Sequence, residues 1–107
     1  MNTEALPGEV WTVDFGLAAK ERPVLILAFP TPKDARSLVV VVPLTSQLRG
    51  RRGEVDIGKP RWLPKHSSVN IQGFASIDHN ALQRKLGKLP IEQFNAVKDA
   101  IRDLLEL

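Results

Sequence analysis

The sequence predicts a mainly β (α+β) domain, a small and strongly bent antiparallel sheet or partial barrel followed by one C-terminal α-helix. Several short apolar and β-branched runs are separated by turn residues, and the hydrophobic period becomes helical only near the C-terminus. The 107 residues, 43% of them hydrophobic, suffice for one core and not for two. We therefore expect residues 1–107 to form a single domain, with a fold that can host many functions.

The first two strands are predicted from alternating apolar residues. Gly8 to Phe15 indicates a half-buried strand, and the short polar segment Gly16 to Glu21 connects it to a second strand, Val24 to Phe29. Proline cannot donate a hydrogen bond to a sheet, so Pro23 is expected at the beginning of the second strand. Arg22 then lies at the mouth of that strand.

A run of four valines marks the centre of the predicted sheet. The strand Ser37 to Leu44 is expected to be covered on both faces and to be closed by Pro43, with Thr45, Ser46 and Gln47 at its mouth. Three shorter strands are predicted at Glu54 to Ile57, Ser67 to Ile71 and Phe74 to Ile77, and one turn of helix at Asp78 to Leu82.

The terminal helix is predicted over Pro90 to Glu106, and no strand is predicted between Leu82 and this helix. Apolar residues recur on one face at helical spacing, namely Phe94, Val97, Ile101, Leu104 and Leu105. Pro90 suits the first helical position, and Glu92 lies near the positive end of the helix dipole. The helix is expected to cover one opening of the sheet.

Positive charge is concentrated in one stretch of the chain. The net charge is +3, yet the segment Leu48 to Lys65 alone carries six basic and two acidic residues. Its basic residues are Arg49, Arg51, Arg52, Lys59, Arg61 and Lys65. Such a field attracts a phosphate backbone or an acidic protein partner, although a solvated loop has the same composition.

Composition also bears on the compartment. The chain has no cysteine, which excludes disulfides and thiolate metal sites and fits a reducing environment. The segment Met1 to Pro7 lacks the pattern of a signal peptide, and the longest apolar run, Leu38 to Leu44, is too short to span a membrane. A cytoplasmic location without membrane contact is therefore expected.

Most familiar catalytic signatures are missing from the sequence. It has no phosphate-binding glycine loop, no histidine pair at metal spacing and no nucleophile elbow. His66 and His79 lie in polar segments and are interpreted as surface residues, and the carboxylates are too scattered for two-metal nuclease chemistry. No metal or other cofactor is expected.

The polar groups at the strand ends offer one candidate site. If their strands are neighbours, Arg22 and Thr45 share one mouth of the sheet. A guanidinium fork binds a phosphate at any working pH, and adjacent hydroxyls complete the cradle. RNA supplies its own 2′-hydroxyl nucleophile, so a metal-free site need only hold the phosphate and stabilise charge. The alternative is that Arg22 pairs with Glu21 or Asp34 and that Thr45 simply ends a strand.

Four motifs in order resemble one known family. They are Gly8-Glu-Val-Trp11 followed by Val13-Asp14, then Arg22-Pro-Val-Leu-Ile26, then Val42-Pro-Leu-Thr-Ser46, and finally Leu86-Gly-Lys-Leu89 before the terminal helix. From about Gly8 to the C-terminus the chain is similar to the MazF/PemK family of toxin endoribonucleases. The resemblance implies an SH3-like barrel of the CcdB/PemK type, a homodimer, cleavage of single-stranded mRNA without metal, and a cognate antitoxin, which we expect to be acidic.

The resemblance also assigns roles to residues. Arg22 would be the proton donor or charge stabiliser, and Thr45 would polarise the scissile phosphate while the 2′-hydroxyl attacks, leaving a cyclic phosphate and a free 5′-hydroxyl. We expect RNA to contact Ser46, Gln47, Arg49, Arg51, Arg52 and Gln72. Many family members have an acid–glutamine pair followed by a basic residue, whereas this chain has Gln72-Gly73 and then Ala75, so base contacts are expected to differ. The loop Gly16 to Glu21, which gates access in the family, is short.

Two other functions remain open at this point. One is a toxin of the same fold that binds a large protein such as DNA gyrase and cuts nothing. The other is a non-catalytic RNA-binding barrel in which Trp11 and Trp62 stack on bases, although Trp11 suits the core or a dimer interface better.

Overall fold

The computed structural model describes residues 4–14 and 21–107, in which seven antiparallel strands form one sheet and a single α-helix follows. The strands are β1 (Glu9–Asp14), β2 (Glu21–Ala28), β3 (Leu38–Thr45), β4 (Glu54–Gly58), β5 (Ser67–Asn70), β6 (Ala75–Asp78) and β7 (Leu82–Lys88). The helix α1 covers Ile91–Leu105, and short 3₁₀ turns lie at Ile71–Gly73 and His79–Ala81. The predicted fold class is confirmed.

Strand β3 is the centre of the sheet, as its valines predict. The strand order is β4-β5-β3-β2-β1-β7, with β6 also paired to β3. The prediction that Pro43 closes β3 is wrong, because the strand continues through Pro43 to Thr45 and changes partner there. Its first half pairs with β6, whereas Leu44 faces Val69 of β5 and Thr45 faces Ser68.

Strand β2 begins earlier than the sequence predicts. Pro23 is its third residue and faces Thr12 of β1, so it does not start the strand. The observed pairing of β2 with β3 begins only at Val24, so that ladder does not include the proline that lacks an N–H group. Arg22 consequently lies within β2, opposite Val13, and is held by the sheet.

Strand β7 was missed from the sequence. It pairs with β1 at one end of the strand order, and its residues Gln83, Arg84 and Lys85 are all exposed. A charged strand without β-branched residues does not match the apolar pattern of a strand, but charge is common on sheet edges, where it opposes pairing with other chains. The pairing with β1 thus overrides a weak local preference.

The helix packs against β4 and the 3₁₀ turn that follows β5. Phe94 and Val97 are buried in the larger of two core clusters, with Ile101 and Leu104 packed against it. Leu105 is 52% exposed, so its predicted place on the buried face is wrong. Pro90 caps the helix instead of occupying its first position. Among the described residues, no helix is long and apolar enough to cross a membrane.

Candidate active site

The sheet brings Arg22 and Thr45 to the same groove. Strands β2 and β3 are antiparallel, with Val24 facing Pro43 and Leu25 facing Val42. This pairing ends at Val24 and Pro43, and Arg22 and Thr45 each lie two residues beyond it along their strands. Both residues line a groove of about 780 Å³, together with the predicted residues Ser46 and Gln47.

The Thr45 hydroxyl is oriented by its own turn. Its Oγ1 accepts a hydrogen bond of 3.0 Å from the backbone N–H of Gln47. Since a hydroxyl has one proton and can accept at its lone pairs, Thr45 can accept from Gln47 and still donate its proton to a ligand oxygen. The turn thus fixes a donor at the end of β3.

The alternative ion pairs of Arg22 are not formed among residues 4–14 and 21–107. Glu21 accepts a hydrogen bond of 3.2 Å from the Thr12 hydroxyl and lies 3.8 Å from the Arg84 guanidinium. Asp34 accepts from the backbone N–H of Thr31 at 2.8 Å. Arg22 is exposed, so its guanidinium is accessible to a ligand in the groove.

A second groove adjoins the first at Thr45 and Gln47. It has a volume of about 460 Å³. It is lined by residues of the basic loop, residues 49–53, and by residues at and after the end of β5. The residues that line only this groove are Arg49, Arg51, Arg52, Glu54, Asn70 and Gln72. The two grooves together therefore collect all eight residues that the sequence predicted for the site.

Internal contacts hold the basic loop, residues 49–53, in place. The Glu54 carboxylate accepts hydrogen bonds of 3.0 Å from the backbone N–H groups of Arg49 and Gly50. Arg52 donates from Nε to the Asp103 carboxylate at 3.1 Å and also to the Asp103 carbonyl oxygen at 3.2 Å. Arg52 thus joins the loop to α1, a contact that the sequence prediction of an RNA-binding role did not foresee.

Several residues that line the first groove are not among the predicted site residues, although Trp62 was expected to stack on bases in the alternative of a non-catalytic RNA-binding barrel. Thr12, Glu21, Trp62, Lys65 and Arg84 all line it. Arg84 is opposite Thr12 in the β1–β7 pairing, so its position depends on a strand that the sequence did not predict. Lys65 belongs to the basic stretch Leu48 to Lys65, and that stretch was the one available signal for it.

Neither histidine is in the lining of these two grooves. His66 Nε2 lies 2.6 Å from the Asp56 carboxylate, which also accepts from the backbone N–H of Gly58 at 2.7 Å. The hydrogen bond from the Gly58 N–H is the largest cause that lowers the pKa of Asp56, and the contact with His66 lowers it further. Within the described residues, no group of three or more histidine, cysteine, aspartate or glutamate side chains is arranged to hold a metal ion.

The Gly8-Glu-Val-Trp11 motif has a structural basis. The Glu9 side chain is only 7% exposed, and its carboxylate contacts Lys85 Nζ at 2.9 Å, Leu6 N–H at 2.9 Å and Trp11 Nε1 at 3.0 Å. Burial alone would raise the pKa of Glu9, but the three donors together outweigh it and lower that pKa. Trp11 packs against the smaller core cluster, as expected of a core residue.

Comparison with known proteins identifies the family of this chain. Residues 6–105 match the model of the family described as PemK-like, MazF-like toxin of type II toxin-antitoxin system. The chain belongs to this family, and the resemblance inferred from its motifs is confirmed. The predicted class, an RNA-cleaving toxin of a toxin–antitoxin system, is confirmed with it.

Individual relatives agree with this assignment. The chain is 32% identical over 88 residues to endoribonuclease MazF3 of Mycobacterium tuberculosis, covering 82% of this chain and 85% of the relative. The structure of the Mycobacterium tuberculosis toxin MazF-mt6 superposes with a TM-score of 0.77 at 28% identity, covering 92% and 97% of the two chains. A mycobacterial endoribonuclease solved with its cognate antitoxin gives a TM-score of 0.81 at 25% identity, covering 97% of each chain.

Proposed function

We propose that this protein cleaves single-stranded mRNA at a phosphate bound between Arg22 and Thr45, without a metal ion. The observation that carries the proposal is the shared groove, in which an accessible guanidinium comes from β2 and an oriented hydroxyl from the neighbouring strand β3. The match of residues 6–105 to a toxin family supports RNA as the substrate. The short loop Gly16 to Glu21, which was expected to gate access, falls almost entirely within 15–20, outside the described residues.

The chemistry requires only transfer within the RNA. The 2′-hydroxyl oxygen attacks the adjacent phosphorus as it loses its proton, and the bond from phosphorus to the 5′-oxygen breaks. That oxygen takes a proton from water and leaves as a free 5′-hydroxyl, the 2′-hydroxyl proton passes to water in turn, and the other fragment ends in a 2′,3′-cyclic phosphate. Charge accumulates on the non-bridging oxygens in the transition state, so donors aimed at those oxygens accelerate the reaction.

Arg22 and Thr45 fit this demand in different ways. The Arg22 guanidinium keeps its charge and can donate two parallel hydrogen bonds to phosphate oxygens, which suits a charge stabiliser better than a proton donor. Thr45 donates one hydrogen bond and is preoriented by Gln47, so it positions the phosphate for in-line attack. Ser46 is exposed in the same groove and offers a further hydroxyl.

The second groove supports a path for the RNA beyond the scissile phosphate. Arg49 and Arg51 are exposed there, next to Asn70 and Gln72. Cationic side chains in a groove attract the RNA backbone, whereas amide side chains can bond to base edges. We therefore assign affinity to the loop arginines and base discrimination to the surroundings of Gln72.

A gel assay with end-labelled single-stranded RNA tests the proposal. The parent protein should produce defined fragments with cyclic phosphate and 5′-hydroxyl ends, and a chelator should leave the rate unchanged. Arg22→Ala should slow cleavage by about 10²- to 10³-fold, the usual effect of removing one transition-state donor. Cleavage by Arg22→Ala at the parent rate would refute the assignment, and so would Thr45→Ala that stays toxic without RNA products.

An acidic antitoxin and a second copy of the chain are the proposed partners. The basic stretch Leu48 to Lys65 suits a disordered acidic segment that folds on binding, and a relative has been solved with its cognate antitoxin. Antitoxin affinity should fall as salt rises, and a flat response would contradict this role.

For the homodimer, an apolar groove of about 510 Å³ that includes Phe74, Ile101 and Leu107 offers uncovered surface. A monomer in sedimentation at micromolar concentration would contradict it.

A further inference from the structure

Trp62 lies flat on the backbone of β7. A Cβ atom built on Gly87 would lie 2.3, 2.4 and 2.5 Å from Cε2, Nε1 and Cδ1 of Trp62. These three atoms are consecutive in one ring, and a point can be almost equally close to all three only if it lies over the face of that ring. One face of the indole therefore covers Gly87, whose missing side chain makes the contact possible.

Part of the remaining surface of Trp62 lines the candidate active site. The side chain is only partly buried, and it lines the groove that contains Arg22 and Thr45. Lys65 and Arg84 line the same groove and add positive charge to it. A flat aromatic surface bordered by cations is the arrangement by which proteins bind single-stranded nucleic acid.

The segment that carries Trp62 is fixed by its own contacts. Leu63 is only 5% exposed, and its backbone N–H donates to the Pro60 carbonyl oxygen at 3.0 Å. The Ser67 hydroxyl donates to the Lys65 carbonyl oxygen at 3.0 Å. The indole is thus held on a supported wall of the groove, so stacking on it would cost little side-chain entropy.

We propose that the groove-facing surface of Trp62 is a stacking platform for one nucleobase next to the scissile phosphate. The inference rests on the proposed function and adds a positioning residue to it. A base that stacks on Trp62 fixes the neighbouring ribose and phosphate relative to Arg22 and Thr45. Because every base has an aromatic face, the platform positions the strand without selecting its sequence, which is left to residues near Gln72.

Tryptophan fluorescence tests the contact independently of cleavage. The chain has two tryptophans, so Trp11→Phe leaves Trp62 as the only emitter. A pool of single-stranded RNA that is 2′-O-methylated, and hence uncleavable, should quench this emission. The quenching should follow the same binding curve as the fluorescence anisotropy of a label on the RNA. RNA that binds without changing the emission overturns the proposal.

Cleavage kinetics test the positioning role. Trp62→Leu keeps apolar volume without an aromatic face and should lower kcat/KM by about 5- to 100-fold, whereas Trp62→Phe should lose less. An RNA in which one nucleotide beside the cleaved phosphate lacks its base should lower the kcat/KM of the parent by a similar factor. The same RNA should not lower the kcat/KM of Trp62→Leu any further. Parent-like cleavage by a folded Trp62→Leu variant overturns the proposal. If the parent cleaves no RNA, the proposed function fails, and quenching still decides whether the platform exists.

Discussion

Arg22 and Thr45 lie on neighbouring strands and line one groove, each two residues beyond the observed pair of Val24 with Pro43. Arg22 is paired with Val13 of β1 and Thr45 with Ser68 of β5, so each residue is held by the backbone pairing of its own strand. Groups placed on rigid elements keep the geometry that catalysis requires.

Conservative substitutions should separate charge from geometry at the site. Arg22→Lys keeps the positive charge but loses the planar fork, so kcat should fall by about 10- to 100-fold, less than for Arg22→Ala. Thr45→Ser keeps the hydroxyl that bonds to Gln47, so its kcat should stay close to that of the parent. Thr45→Val removes this hydroxyl, so its kcat should fall by about 10- to 100-fold. Single-turnover cleavage of one defined RNA measures all three. Equal activity of the Ser and Val variants would show that the hydroxyl has no role.

Two arginines of the basic loop should differ in their effect on RNA binding. Arg51 is exposed and available to a phosphate, so Arg51→Ala should reduce the slope of log affinity against log salt by about one. Arg52 is engaged with Asp103, so Arg52→Ala should change the slope less. The matched control is Asp103→Asn, which releases Arg52 and should make the slope steeper. Identical slopes for both arginine variants would contradict this division.

Much of the fold follows from patterns within single segments. Four valines identify β3, and the helical spacing of Phe94, Val97 and Ile101 identifies α1. Strand β7 could not be predicted in this way, because its charged sequence is stabilised by pairing with β1. Pro43 does not end β3 as predicted for a related reason, since β3 changes partner at its end. Local sequence does not encode which strand becomes the neighbour.

The same limit applies to the candidate site. Arg22 and Thr45 were predictable because each adjoins an apolar run and matches a family motif. Trp62 and Arg84 join the groove only through tertiary contacts, namely the indole on Gly87 and the pairing of Arg84 with Thr12. The engagement of Arg52 with Asp103 likewise connects residues far apart in sequence.

Protonation of Glu9 should lower stability in acid. Its folded-state pKa lies below the ordinary value of 4.5, so its contribution is complete above that value and is lost as the pH falls through the folded pKa. Glu9→Gln should cost about 1–3 kcal/mol at neutral pH and should flatten the dependence of stability on pH in this window. Urea unfolding from neutral to acidic pH measures the effect.

A control at Lys85 tests the same ion pair from the other side. Lys85→Met removes a cation 2.9 Å from the Glu9 carboxylate, so the pKa of Glu9 should rise and the loss of stability should begin at higher pH. An unchanged pH profile in Lys85→Met would show that the pair contributes nothing.

Gly87 should tolerate a methyl group only when Trp62 is absent. A Cβ at this position would lie 2.3 Å from the indole, so Gly87→Ala should displace Trp62 and cost about 1–3 kcal/mol through overpacking. In a Trp62→Ala background the space is open, and the same substitution should cost little. Urea unfolding of the parent, both single variants and the double variant gives the coupling between the two positions. Additive effects would mean that the glycine is required for some reason other than the indole that lies on it.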